Sequence, residues 1–176
     1  VPDSPELLGK GRFLQLTRTN GWEYVERTRP IRSIFIAAIT NEGELLLTYE
    51  YRVPVKAVVV GFPAGLVGDT EGLENEAHET ATVRELIEET GYEPRDVRFL
   101  TKGPTSAGIT DEVIAIMLAT GLKKVGAGGG IEGEQITVHK IKLADVDGWL
   151  EARGKEGMLI DPKVYTALYF IDRIRE

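Results

Sequence analysis

The chain has 176 residues, 42% of them hydrophobic and 28% charged, with a formal net charge of −7 and no cysteine. A chain of that length fits one domain and buries a core without covalent staples, and the composition is globular, neither fibrous nor disordered. The acidic balance argues against a nucleic-acid backbone as partner, the lack of cysteine excludes disulfides, thiolate metal sites and a cysteine nucleophile, and no apolar run is long enough for a membrane span.

No charged-then-apolar leader opens the sequence, so neither secretion nor transit is indicated, and the absent initiator Met suggests trimming at the N-terminus. The expected setting is the reducing cytoplasm. Any metal has to sit on oxygen ligands or on His78 or His139.

Residues 12–17 (RFLQLT) and 22–27 (WEYVER) read as two strands, joined by an Asn-Gly hairpin turn. SIFIAAI at 33–39 and ELLLTYEYR at 44–52 follow, with the turn TNEG between them and Pro54 ending the pattern. AVVVGF at 57–62 feeds a PAG turn at Pro63, Ala64 and Gly65, and a loop rich in glycine and acids leads to a helix over 76–90 that Gly91 terminates. Strands near 97–101, 112–119 and 135–143 come next, the last preceded by the Gly-rich loop VGAGGGIEGE at 125–134. The end reads as helices over 144–153 and 162–175, where Val164, Ala167, Leu168, Ile171 and Ile174 recur at helical spacing. Strands interrupted by a few helices imply an α/β sandwich with a mixed sheet. RTRP near residue 30 is the one boundary, separating an N-terminal hairpin region (1–30) from the remainder (31–176).

The charge is concentrated. Between Glu71 and Glu89 there are seven glutamates against the single Arg84. Glu85, Glu88 and Glu89 stand at i, i+3 and i, i+4, which places them on one helix face. Each like-charged pair costs an isolated helix roughly 0.2–0.5 kcal/mol, so either water screens the cluster or a cation belongs there. A solvated helix face is the ordinary explanation for a Glu-rich segment; the Gly stop, the single Arg and the preceding PAG after a buried strand argue for the cation.

Glu76, seven residues, then RELIEETGY at 84–92 resembles the Nudix box, Gly-x5-Glu-x7-Arg-Glu-aliphatic-x-Glu-Glu-x-Gly-aliphatic. Two departures stand out. Gly65 lies ten residues before Glu76 where five are usual, which a five-residue insertion explains, and Tyr92 replaces an aliphatic residue. Glu71 is five residues after Gly65 but twelve before Arg84, so Glu76 is preferred. The resemblance implies a Nudix-type α/β/α sandwich and metal-dependent hydrolysis of a nucleoside diphosphate linked to another moiety. Glu85 and Glu89, with Glu88 sharing, would hold Mg2+ or Mn2+ through hard carboxylate oxygens, with the carbonyl of Ala64 completing the shell. Arg84 is catalytic by resemblance and is expected to orient Glu88 through an i, i+4 pair. Such metals orient a water and lower its pKa.

Features outside the box resemble the ADP-ribose pyrophosphatase branch. YEYRVPV at 49–55 makes Arg52 a contact for phosphate or base; TSAGITDE at 105–112 places Glu112 near the site; Glu132, with Glu134 in reserve, matches the position of the catalytic base. A carboxylate on a Gly-rich loop can close onto its water when substrate is present. The N-terminal hairpin, with Trp22 and Tyr24, implies a homodimer, and Trp22 is a candidate for stacking on a base. Ala107 stands where that branch carries proline, and Gly61 where an acidic residue often precedes PAG, so GDP-mannose and similar sugars compete with ADP-ribose. Isopentenyl diphosphate isomerase chemistry is disfavoured because it relies on a cysteine. A non-catalytic nucleotide-binding Nudix domain would not need Arg84, Glu85, Glu88 and Glu89 together. His78 and His139 read as structural or surface residues and Trp149 as packing.

Overall fold

The computed structural model describes residues 4–69, 72, 74–130 and 136–175. The N-terminal strands are β1 (Glu6–Lys10), β2 (Leu14–Thr19) and β3 (Trp22–Arg27), which form an antiparallel three-stranded sheet. The expected hairpin is thus joined by an additional strand, β1, whose ELLGK sequence is too polar and too close to Gly11 to stand out. Asn20 and Gly21 both have positive φ, 51° and 79°, as the tight turn between β2 and β3 requires.

The larger sheet contains β4 (Arg32–Ile39), β5 (Glu44–Arg52), β6 (Ala57–Gly61), β7 (Ala64–Val67), β9 (Asp96–Pro104), β10 (Val113–Thr120), β12 (Thr137–Lys142) and β13 (Leu159–Ile160). Two short strands, β8 (Tyr92–Glu93) and β11 (Lys123–Lys124), pair separately. The order β13-β6-β5-β4-β10-β9, with β12 on β5 and β7 on β4, is mixed because β4 runs parallel to β10 and β6 to β13. The helices are α1 (His78–Thr90), α2 (Val146–Lys155) and α3 (Pro162–Arg175).

Side chains alternate across this sheet, as the period of two demands. On β4, Ile34, Ile36 and Ala38 join Ala81 and Leu86 of α1 on one face. Phe35, Ala37 and Ile39 lie on the other face, against Val146 and Leu150 of α2 and Val164, Ala167 and Ile171 of α3. The α/β/α sandwich follows. Burying each of the valine, leucine, isoleucine and phenylalanine side chains among them contributes about 1.5–3 kcal/mol.

One topological detail positions the site. β4 pairs with β5 only at Ala38↔Leu46 and Ile39↔Leu45. Beyond those pairs β4 continues against β7 and β10, while β5 continues against β6 and β12. The sheet therefore forks, and a crevice opens between the branches.

Candidate active site

The crevice has a volume of about 890 Å3 and is lined by Ala64, Gly65 and Leu66 of β7, by Arg84, Glu85, Glu88 and Glu89 of α1, and by Asp69, Arg52, Arg27 and Glu112 from surrounding segments. It thus gathers all the site residues expected from the sequence except Trp22, Glu132 and Glu134. Glu132 and Glu134 lie outside the described residues. Trp22, 63% exposed at the β2–β3 turn, does not line the crevice.

The PAG segment is not only a turn. Ala64 begins β7, which pairs antiparallel with β4 through Ala64↔Phe35 to Val67↔Arg32. The Pro and Gly signals favoured a turn, but an available β4 edge imposed a strand. Gly65 is required for close approach: a Cβ there would overlap the Cγ, Cδ and Oε1 atoms of Glu85. Pro63 O accepts from Ile36 N at 2.8 Å, and Ala64 N donates to Glu89 Oε2 at 3.2 Å.

Helix α1 begins at His78, with Ala77 extended before it (φ −73°, ψ 150°). Glu76 therefore precedes the helix instead of opening it, and folds back onto Arg84. Its side chain is only 2% exposed, and Arg84 Nη2 reaches its Oε2 at 3.1 Å while Nε reaches Oε1 at 3.3 Å. Arg84 also donates to Glu85 Oε1 at 2.7 Å and to Leu66 O at 3.0 Å; the expected i, i+4 partner, Glu88, is farther at 3.6 Å. The principal partners of Arg84 are thus Glu76 and Glu85. The hydrogen bonds that Arg84 donates to Glu76 raise its pKa further, against the opposing effect of burial. Arg84 is a fixed cation that ties α1 to β7.

Burial pushes the Glu85 carboxyl up, Arg84 pulls it down, and the charges of Glu88 and Asp69 push it up again, for a net rise. Among the described residues no three acidic or histidine side chains form a ready-made metal cage, since Glu85 is held by Arg84 and Glu89 by the Ala64 amide. The donor set nevertheless fits a hard divalent cation. It consists of carboxylate oxygens and a backbone carbonyl, with the Glu85 carboxyl seated so closely against Gly65 that any side chain there would displace it.

The end of α1 is stitched to the Gly-rich segment. Gly91 (φ 71°) donates to Ile87 O at 2.8 Å, and a Cβ at Gly91 would overlap Gly126 O. Gly129 N donates to Glu89 O at 2.7 Å and Gly130 N to Glu88 O at 3.1 Å. The backbone carbonyls of the two acidic residues thus anchor the loop.

Opposite α1, Glu112 precedes β10. Its Oε1 accepts from Arg27 Nη2 at 3.1 Å and Ser33 Oγ at 2.9 Å, and its Oε2 from Thr105 Oγ1 at 3.4 Å. Burial alone would raise its pKa; the Ser33 and Arg27 hydrogen bonds outweigh that and hold it below the usual range. Arg27, from the N-terminal sheet, had no signal in the sequence. Arg52 at the end of β5 pairs with Glu50 at 2.8 Å. His78 is half-buried, its pKa lowered by burial and the charge of Arg32. The His139 ring lies against Tyr49, tilted by 36° with centroids 3.9 Å apart, within the packing of Trp149 and away from the crevice.

The NUDIX domain family model matches residues 29–151, most of the chain and most of the residues lining the forked crevice, Arg27, Asp161 and Lys163 lying outside the match. The chain belongs to the Nudix family. As a Nudix diphosphate hydrolase it resembles the methanol dehydrogenase activator of Bacillus methanolicus, 31% identical over 79% of this chain and 71% of that protein. It is 30% identical to the ADP-ribose pyrophosphatase of Bacillus subtilis (strain 168) over 69% of this chain and 63% of that protein. A GDP-mannose pyrophosphatase of Enterobacter sp. (strain 638) is 32% identical over 89% and 83%. The crystal structure of an ADP compounds hydrolase shares the Nudix fold, with a TM-score of 0.68, 24% identity, and 86% and 82% of the two chains covered.

Proposed function

We propose that this Nudix hydrolase cleaves the diphosphate of a nucleoside diphosphate linked to a sugar, with ADP-ribose, giving AMP and ribose 5-phosphate, as first substrate. The observation that carries the reading is the forked crevice, with Glu85, Glu88 and Glu89 on one wall and Arg52 and Arg27 among the other lining groups. Glu85, Glu88, Glu89 and the Ala64 carbonyl would hold Mg2+ or Mn2+, which when bound neutralises the diphosphate and makes a water more acidic. Arg84 keeps Glu85 oriented through its 2.7 Å contact, and Arg52 meets a phosphate or the base. Water adds its oxygen to one phosphorus, the bridging P–O bond breaks, and the second phosphate departs with the bridging oxygen. Glu132 takes the proton from water, with Glu134 as the alternative. The tether supports this: Gly130 is fixed to Glu88 O at 3.1 Å, and two further residues reach at most about 7 Å.

The relatives named for ADP-ribose and for GDP-mannose support both sugars, and GDP-mannose is the second reading because Ala107 and Gly61 depart from the ADP-ribose pattern. Incubation with Mg2+ and a panel of nucleoside diphosphate sugars, with products resolved by chromatography, tests the proposal; no turnover of any member would overturn it. Glu132→Gln and Glu134→Gln, assayed separately, identify the base by which variant loses kcat. The exposed Leu7, Phe13, Leu14, Leu16 and Trp22 of the N-terminal sheet support a homodimer, which light scattering would register as twice the chain mass.

A further inference from the structure

The crevice has a second charged end. Where α3 begins, Asp161 and Lys163 line the same cavity as the acidic face of α1. Lys163 Nζ lies 2.7 Å from Asp161 Oδ2 and 4.2 Å from the centroid of the Phe35 ring, and the two charged side chains are only 23% and 17% exposed. Asp161 is itself fixed: its Oδ1 accepts from Lys163 N at 2.9 Å and its N–H donates to Val60 O at 2.9 Å. The pair therefore joins α3 to β6, on the branch of the sheet facing α1 across the fork.

The charge arithmetic decides what such a pair suits. As a unit it is neutral, and a phosphate approaching Lys163 would also meet the carboxylate of Asp161. A hydroxyl group meets no such conflict, because the ammonium has donors to give to its oxygen and the carboxylate has lone pairs for its hydrogen. Neighbouring hydroxyls on a sugar ring can use both at once, and partial burial strengthens each bond. We propose that the Asp161–Lys163 pair is the subsite for the hydroxyl-bearing sugar at the end of the diphosphate away from the nucleoside, and so determines specificity for that sugar. The inference rests on the crevice being the active site of a diphosphate hydrolase.

The test compares two uncleavable ligands, α,β-methylene ADP-ribose and α,β-methylene ADP, the second lacking the sugar and carrying one further ionisable oxygen at its end, by calorimetry in Mg2+; each variant is read against wild type for the same ligand. Lys163→Met and Asp161→Asn are the variants; Asn keeps the cap on α3 while removing the charge. The expected result is a loss of about 10- to 100-fold in affinity for the sugar-bearing ligand, with the ADP analogue bound within about twofold of wild type, and partial recovery in Lys163→Arg. Equal losses for both ligands, or none for either, overturn the subsite. If Lys163→Met does not fold, as judged by circular dichroism, Lys163→Gln and Asp161→Asn decide it by the same comparison. Failure of the wild type to hydrolyse any sugar nucleotide would remove the hydrolase reading alone; the subsite then stands or falls on the same comparison of the two ligands in the Lys163 and Asp161 variants.

Discussion

Gly65→Ala separates the fold of this protein from its chemistry. The added methyl would occupy the space of the Glu85 Cγ, Cδ and Oε1 atoms. These atoms are the far end of a flexible side chain, so the relief is a rotation of Glu85 with β7 left in place. The rotation breaks the 2.7 Å bond between Arg84 Nη1 and Glu85 Oε1, a charged hydrogen bond contributing about 1.5–3 kcal/mol. Arg84 keeps Glu76 and Leu66 O as partners, and the stiffer unfolded chain returns about 0.4–1 kcal/mol. The net destabilisation is then about 0.5–2.5 kcal/mol, or roughly 2–4 °C in Tm per kcal/mol for a chain of this size. Catalysis fares worse, because misplacing a reacting group by about 1 Å costs on the order of a hundredfold. Circular dichroism melts and kcat/KM for ADP-ribose across a Mg2+ titration measure the two effects. A variant that keeps kcat/KM within a few-fold of wild type would refute the placement of Glu85 against Gly65.

Arg84→Met strands the carboxylate of Glu76, whose side chain is 2% exposed, and is expected to cost about 3–5 kcal/mol; urea unfolding measures it, and Glu76→Gln in the same chain should recover part of the loss. His139 has its pKa lowered by burial and then by the charge of Arg153, and its Nε2 is buried without a hydrogen-bond partner among the described residues. The unfolded chain protonates first, so the contribution of His139 is complete above its ordinary value of about 6.5 and is lost as pH falls below it. Unfolding free energies at several pH values should show a shallower decline in His139→Phe, and an unchanged slope would count against it. Chelation with EDTA should abolish turnover while leaving the melting temperature within a few degrees, because the two apolar clusters hold the sheet without the carboxylates; added Mg2+ or Mn2+ should restore activity.

Most of the architecture was legible because it rests on local signals. The 44–52 strand and the 162–175 helix coincide with β5 and α3, where apolar periodicity and the flanking turn or proline agree. The misses share a cause. β7 and β13 are short, four and two residues, and exist only because β4 and β6 offer edges. The spacing of Glu76 predicts a helical position, but its chemistry comes from folding back to Arg84, a contact across the start of the helix that no periodicity encodes. Arg27, Asp69 and Lys163 come to the crevice from separate segments, brought there by packing. Asp69 alone had a signal, an acid within the loop between PAG and the helix.

The fork in the sheet carries a mechanical consequence. Its two branches meet only at Ala38↔Leu46 and Ile39↔Leu45, so these pairs act as the spine of a book whose pages carry opposite walls of the crevice. Phe35, three residues up β4 from Ala38, stands about 10 Å along that page. At such a lever arm a few degrees of rotation at the spine move the page by roughly half an ångström or more, comparable with the tolerance of a catalytic constellation. Ala38 and Leu46, fully buried and remote from every carboxylate on α1 in sequence, thereby set the width of the mouth. A bulkier residue at position 38 would press on Ala81 and Leu86, which share its face of the sheet, and so shift α1 and the wall it carries without touching anything bound in the crevice.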